Sequence, residues 1–298
     1  MVYHNPVLLD ESIQGLNINP SGVYVDATFG GGGHSKLILK NLEKGKLFAF
    51  DQDEDAQKNL IKENRFKLIT ANFRYIKNFL KLEGVLKIDG LLADLGVSSY
   101  QFDIAERGFS IRYDGELDMR MNPNSLFSAK DLVNQYDQES LEKILYNYGE
   151  LRNSKGLAKK IVSARDKKQI TSTTQLVNLV SDMVPVNKRS QFLARIFQAI
   201  RIEVNDEINA LEEMLTDAIS MLKKGGRLAV ISYHSLEDRI VKNLFKTGNV
   251  EGKLHKDFFG NQITEIIQVN KKVIVPKDSE VLKNTRSRSA KLRIAEKK

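Results

Sequence analysis

Four short apolar runs with strand character, at 23–28, 46–51, 66–71 and 89–94, alternate with stretches of helical character at about 35–43, 54–64 and 74–82. Consecutive strands joined by helices of this length run parallel, because each return to the same sheet edge needs a crossover and a helix supplies it. This alternation predicts an open α/β sheet, with ligand chemistry at the carboxyl ends of its strands.

The pattern then changes. An irregular stretch spans about 102–120, and from 128 to about 205 only helical periodicity is found. Leu141, Ile144, Leu145 and Tyr148 fall on one helical face, and Leu176, Leu179, Val180 and Met183 on another. Strand character returns at 226–232, with late strands expected at 269–275 and 291–295. The economical reading is a helical domain inserted into an α/β core. It places the first part of the core at 1–103, the insertion at 104–204 and the second part of the core at 205–298.

Composition excludes several classes. The chain has no Cys, so a disulfide framework and Cys-based metal sites are ruled out. Its four His (His4, His34, His234 and His255) show no close ligand spacing, and no metal centre is expected. The amino-terminal residues lack the charged and apolar blocks of a signal peptide, and no apolar run approaches the roughly 20 residues of a membrane helix. A cytoplasmic enzyme without a membrane partner is the expectation. The net charge of +8 favours nucleic acid, although solvated lysines account for it equally well.

The strongest local signal is Asp26-Ala27-Thr28-Phe29-Gly30-Gly31-Gly32-Gly33-His34-Ser35, placed where the first strand turns into a helix. Glycines there permit positive φ and let a ligand approach the chain. The free N–H groups of the turn and the helix start favour a polar or anionic ligand end. The G-x-G-x-x-G spacing of dinucleotide enzymes fails at its third glycine, where Ser35 stands.

Asp51 ends the second strand, where an acid accepts hydrogen bonds from ribose hydroxyls. Nucleotide cofactors and S-adenosylmethionine both carry that ribose, so Asp51 leaves the two open. The competing role is a helix-start acid, which Asp53 and Glu54 can fill. Asp94-Leu95-Gly96-Val97-Ser98-Ser99 ends the fourth strand. In amino-methylating enzymes a polar residue at this edge, followed by Pro-Pro and an aromatic, grips an exocyclic amine. Asp94 fits the first slot, and Leu95, Gly96 and Val97 do not fit the rest. His234, after the 226–232 strand, suits either a general base or a hydrogen-bonded supporting residue.

Several runs together carry a resemblance. They are His4-Asn5-Pro6-Val7-Leu8-Leu9-Asp10-Glu11, Gly32-Gly33-His34, Asp94-Leu95-Gly96-Val97-Ser98-Ser99 with Gln101 and Asp103, and Glu106-Arg107-Gly108-Phe109-Ser110. Leu117-Asp118-Met119-Arg120-Met121, Arg195-Ile196-Phe197-Gln198-Ala199-Ile200-Arg201-Ile202, Tyr233-His234-Ser235-Leu236-Glu237-Asp238-Arg239 and Arg288-Ser289-Ala290-Lys291-Leu292-Arg293 continue it. Nearly end to end, the chain resembles the bacterial ribosomal RNA small-subunit methyltransferase H (MraW/RsmH) family. The resemblance implies a class I Rossmann-like methyltransferase core with an inserted all-helical, substrate-recognition domain. It implies S-adenosylmethionine-dependent N4-methylation of a cytidine in the decoding centre of 16S ribosomal RNA, on free RNA or the small subunit. It also implies cofactor contacts at Gly32, Gly33, His34, Asp51, Phe73, Asp94 and Gln101. The sequence departs from the family pattern at Tyr100, which replaces a Pro, and at Leu151, where a second Glu is usual. The loop between about Gly248 and Gly260 is short.

On this reading Asp94 and His234 are the catalytic candidates. Phe109, Tyr113 and Tyr233 are candidates to stack on the target base, each with core packing as its alternative. Arg286 and Arg288 lie in the densest basic cluster and are candidates to grip RNA, with Arg107, Arg112, Arg120, Arg195, Arg201 and Arg293 completing a positive wall. The sequence leaves room for a homodimer. Three rival readings are a nicotinamide-dependent oxidoreductase, a non-catalytic RNA-binding assembly factor and a DNA amino-methyltransferase. The broken glycine spacing, the intact cofactor residues and the missing Pro-Pro-aromatic motif count against them in turn.

Overall fold

The structure is a computed structural model that describes residues 6–298. His4 and Asn5, which open the resemblance, lie outside the described residues. The chain divides into two compact units, residues 1–96 with 208–298, and residues 97–207.

The first unit is built on a seven-stranded sheet of β1 (Val23–Asp26), β2 (Lys46–Asp51), β3 (Phe66–Thr70), β4 (Ile88–Asp94), β5 (Leu222–Ser232), β6 (Ile266–Gln268) and β7 (Lys291–Lys297), in the order β3-β2-β1-β4-β5-β7-β6. The pairs from β3 to β5 are parallel, whereas β7 pairs antiparallel with both β5 and β6. The order reverses between β1 and β4, which makes their carboxyl ends the switch point where open α/β sheets bind ligands. Together with the antiparallel β7, this is the α/β, class I Rossmann-like core expected from the sequence.

Alternating side chains cover both faces of the sheet, as buried parallel strands require. Val25, Phe48, Phe50, Leu91 and Ala93 pack on one face with α3 (Ile76–Leu82), α10 (Glu207–Met221) and α11 (Ser235–Thr247). Tyr24, Leu47, Ala49 and Leu92 pack on the other with α1 (Leu9–Leu16) and α2 (Gly33–Asn41). Between β6 and β7 lies α12 (Asp278–Lys283).

Two expected elements differ. The helix anticipated over 54–64 is a 3-10 turn at Glu54–Asn59 with Ala56 as its one buried residue. So thin an apolar stripe cannot hold a longer helix against the sheet. The strand anticipated at 269–275 is displaced to Ile266–Gln268, and only Ile274 bridges to Leu292. Asn270 interrupts it, because its side chain accepts from the Ile294 N–H at 2.7 Å and donates to the Lys272 carbonyl at 2.8 Å. Such local side-chain bonds compete with a strand ladder.

The second unit contains α4 (Ser99–Asp103), α5 (Ala129–Gln135), α6 (Gln138–Asn147), α7 (Ser154–Arg165), α8 (Thr173–Val180) and α9 (Arg189–Asn205). Leu132, Leu141, Ile144, Leu157, Leu176 and Ile196 lie in its own core. Serines at 98, 128 and 172 start α4, α5 and α8 with reciprocal capping boxes. The irregular 102–120 stretch is held by Gly115, whose N–H donates to the Thr173 hydroxyl at 3.1 Å, and by the Leu117 N–H, which donates to the Thr171 carbonyl at 3.0 Å. Among the described residues, no helix is long and apolar enough to cross a membrane.

Candidate active site

The glycine run turns β1 into α2. Gly30 and Gly32 take φ of +49° and +74°, a region that side chains with a Cβ rarely adopt, and Gly32 caps α2. Gly33 is required for a different reason: a Cβ there would stand 2.0 Å from Cγ of Pro6. The loop is held at one peptide unit. The Gly30 N–H donates to Oδ2 of Asp51 at 2.8 Å, and Nδ2 of Asn59 donates to the Gly30 carbonyl at 3.0 Å. The other oxygen of Asp51 accepts from the Asp53 N–H at 2.9 Å. Asp53 itself caps the following 3-10 turn, so Asp51 is released from the helix-start role that competed with its ribose reading.

Asp26, Asp51 and Asp94 end three adjacent strands, β1, β2 and β4. Burial pushes each carboxyl up from its usual 3.8 to about 6, because the charged form loses its water. Hydrogen bonds offset part of this cost. Asp26 accepts from Oγ of Ser35 at 2.6 Å and from the Thr28 N–H at 3.1 Å. Asp94 accepts from the Tyr233 hydroxyl at 2.7 Å, and Nδ1 of His34 lies 4.0 Å from its second oxygen. The backbone N–H of Asp94 donates to the Thr28 hydroxyl at 2.7 Å, which ties the β4 edge to the glycine turn.

His34 is buried, with Nε2 at 3.1 Å from the Val7 carbonyl. A carbonyl only accepts, so Nε2 carries the proton and Nδ1 turns towards Asp94. Burial lowers the His34 pKa more than Asp94 raises it, which keeps the ring neutral. The Tyr233 phenol is pushed up, first by burial and then by Asp94, and so remains a donor.

The structure brings Gly30 to Asp51, and His34 and Tyr233 to Asp94. It places the remaining sequence candidates elsewhere. His234 caps α11: Nδ1 accepts the Glu237 N–H at 3.4 Å, and the Glu237 carboxylate returns to the Tyr233 N–H at 2.9 Å. Nε2 of His234 is buried and lies 3.1 Å from the same carboxylate without a hydrogen bond to it. Phe73 starts a 3-10 turn after β3 and packs partly buried against the core.

In the 97–207 unit, Gln101 is buried and its side chain accepts the Ser98 N–H at 3.1 Å. Phe109 is a correction. It is 4% exposed, set edge-on to Phe102 in that unit's core, and offers no free ring for a base. Tyr113 is 51% exposed. Arg286 and Arg288 are exposed on the 3-10 turn Thr285–Ser289. Four arginines of the wider wall have partners within the protein. Arg293 pairs with Asp238 at 2.7 Å, Arg120 with Asp118 at 2.7 Å and Arg201 with Glu207 at 2.7 Å. Arg107 donates to the carbonyls of Arg120 and Met121.

Sequence reasoning gives Asp26 no role of its own, and it reads Tyr233 only as a stacking ring. The signal for Asp26 was its place at a strand end four residues before Gly30.

A glycine turn at a sheet switch point, with acids at the ends of three adjacent strands, defines a Rossmann-like enzyme that holds a ribose-bearing cofactor. The chain belongs to the MraW methylase family, whose model matches residues 1–298. It is 56% identical over 298 residues to the ribosomal RNA small subunit methyltransferase H of Phocaeicola vulgatus, covering 100% of this chain and 98% of that relative. It is 54% identical to the protein of that name from Bacteroides thetaiotaomicron, covering 100% and 98%, and 53% identical to that from Flavobacterium johnsoniae, covering 100% and 98%.

Proposed function

We propose that this chain methylates N4 of a cytidine in the decoding centre of 16S ribosomal RNA, with S-adenosylmethionine as donor. The observation that carries the site assignment is the line of Asp26, Asp51 and Asp94 along three adjacent strand ends, beside the Gly30–Gly33 turn. Family membership carries the ribosomal RNA substrate.

The residues fit the donor. Gly30, Gly32 and Gly33 give close approach to backbone, and Asp51 keeps lone pairs for ribose hydroxyls beyond its two backbone bonds. Phe73 follows β3 at the same end of the sheet. When bound, S-adenosylmethionine supplies an activated methyl group on a good leaving group.

The protein's task is then placement and charge. A cytosine amine is a poor nucleophile because its lone pair is delocalised into the ring. An acceptor beside its hydrogens localises that pair as nitrogen becomes tetrahedral. Asp94 is that acceptor, with Tyr233 fixing one oxygen and leaving the other available. With a pKa of about 6 it is ionised at neutral pH, and a stronger base than an ordinary carboxylate for the proton the amine sheds. Holding the amine in line removes much of the entropic barrier. Bringing the base out of its stack costs about a few kcal/mol.

The test is transfer of labelled methyl to naked 16S RNA, small subunits and DNA, followed by nucleoside analysis. N4-methylcytidine is the expected product. Label on carbon 5 or on another base overturns the assignment, and cofactor binding without transfer favours the non-catalytic assembly factor.

A further inference from the structure

The carboxyl-terminal part of the first unit carries a feature the cofactor site does not use. Phe258 and Phe259 are adjacent and 97% and 85% exposed, with ring centroids 5.7 Å apart and planes at 86°. A protein surface rarely leaves two neighbouring aromatic rings in water without a use for them.

The rings sit on an ordered turn. Lys256 and Gln262 form an antiparallel bridge, and the Ile263 N–H donates to the His255 carbonyl at 2.8 Å. At the tip, Oδ1 of Asp257 accepts the N–H groups of Phe259 and Asn261 at 2.9 and 2.8 Å. Gly260 completes the turn with φ of +84°. Nε2 of Gln262 anchors the base of the turn by donating to the Lys246 carbonyl at 2.6 Å.

The flanking charge selects the partner. Lys246, Lys253 and Lys256 are exposed, and no acid pairs with them among the described residues. Exposed rings on a turn flanked along the chain by unpaired lysines suit unpaired bases on a phosphate backbone better than an apolar protein face. Aromatic platforms hold single-stranded nucleic acid in this way, with cations tracking the backbone.

We propose that Phe258 and Phe259 form a base-stacking finger that docks a single-stranded segment of the ribosomal RNA substrate. This rests on the RNA reading above. Because the turn is already ordered, little conformational entropy is lost on docking.

The chain contains no Trp, so Phe258→Trp installs a single fluorescent reporter at the tip. Single-stranded oligoribonucleotide should quench it, and duplex RNA should not. Phe258→Ala with Phe259→Ala should weaken RNA binding roughly tenfold or more while cofactor affinity is unchanged. Absence of quenching and of any change in RNA affinity, in a protein that still methylates ribosomal RNA, overturns the finger and leaves the RNA reading intact. Failure of the wild-type protein to bind or methylate any RNA overturns both. A fluorescence change that follows protein concentration alone, with a matching shift in sedimentation, assigns the rings to a second copy and also overturns the proposal.

Discussion

If Asp94 accepts from the target amine, only its ionised form works, and acid should switch the enzyme off with a midpoint near 6. The sign is set by the direction of the shift. An aspartate pushed up from 3.8 to about 6 is almost fully ionised at pH 8 and only about one-tenth ionised at pH 5. With saturating donor and RNA, kcat at pH 5 should therefore be about a tenth of its plateau at pH 8. An ordinary aspartate would still be largely ionised at pH 5. Asp26 and Asp51 titrate in the same range, so the assay must separate them. On the proposed ribose role of Asp51, its protonation should raise KM for the donor rather than lower kcat. Asp94→Asn retains the shape and an oxygen for the Tyr233 hydroxyl but cannot titrate. It should lower kcat by about 10²–10³-fold, the usual cost of losing a transition-state electrostatic partner, and abolish the acid limb. The readout is steady-state methyl transfer from pH 5 to 8 for both proteins. A flat wild-type profile, or an Asp94→Asn enzyme with wild-type kcat and an unchanged acid limb, refutes the reasoning.

Three further outcomes are expected. Asp26 is fully buried with a folded pKa above its unfolded value, so the folded state holds its proton more tightly. Its contribution to stability is therefore greatest below 3.8 and is lost as pH rises through about 6. The stability difference between Asp26→Asn and wild type should shift by about 2.4 kcal/mol in favour of the variant between pH 4 and 8. Denaturant melts at both pH values check this, and a pH-independent difference defeats it. Asp51→Ala should weaken S-adenosylmethionine binding by about 1–3 kcal/mol, measured by calorimetry, and an unchanged Kd removes Asp51 from the ribose site. Arg286→Ala with Arg288→Ala should weaken RNA binding and flatten its salt dependence by roughly 0.7 in slope for each phosphate these side chains neutralise. Identical affinities and slopes at several salt concentrations would leave the 3-10 turn as structure only.

The parallel strands were legible because each is an apolar run ended by punctuation, and β2 falls at Lys46–Asp51, matching its sequence reading. Elements whose identity depends on a distant partner were not. The 54–64 segment has helical spacing, yet Ala56 is the one buried residue of its 3-10 turn and Ile61 only packs part-buried against the core, and sequence cannot tell a shallow stripe from a buried one. Val269–Val275 has strand composition, but the Asn270 side chain replaces the ladder bond to Ile294. The surroundings of the arginines were hidden for a related reason. Charge count is visible in sequence, whereas pairing is not, and Arg293, Arg120 and Arg201 each hold an acid. Phe109 likewise follows a glycine in a polar stretch and gives no local sign of being core.

The site was legible one residue at a time, and its chemistry emerges only from adjacency. Asp94 and Tyr233 are 139 residues apart, and the β4–β5 pairing brings them within 2.7 Å. Each acid can be placed at a strand end from its local run alone. Strand order then makes Asp26, Asp51 and Asp94 neighbours along one buried edge, where the loss of water raises all three. Among the described residues no Lys or Arg pairs with any of them, and the nearest histidine is held neutral by burial. A cleft with buried acids and no cation of its own favours a ligand that brings positive charge. A sulfonium brings it, and the thioether left after transfer does not. If these carboxylates seat the methyl donor as proposed, they should hold its product less tightly, and this preference should fade below pH 6, where the acids are protonated.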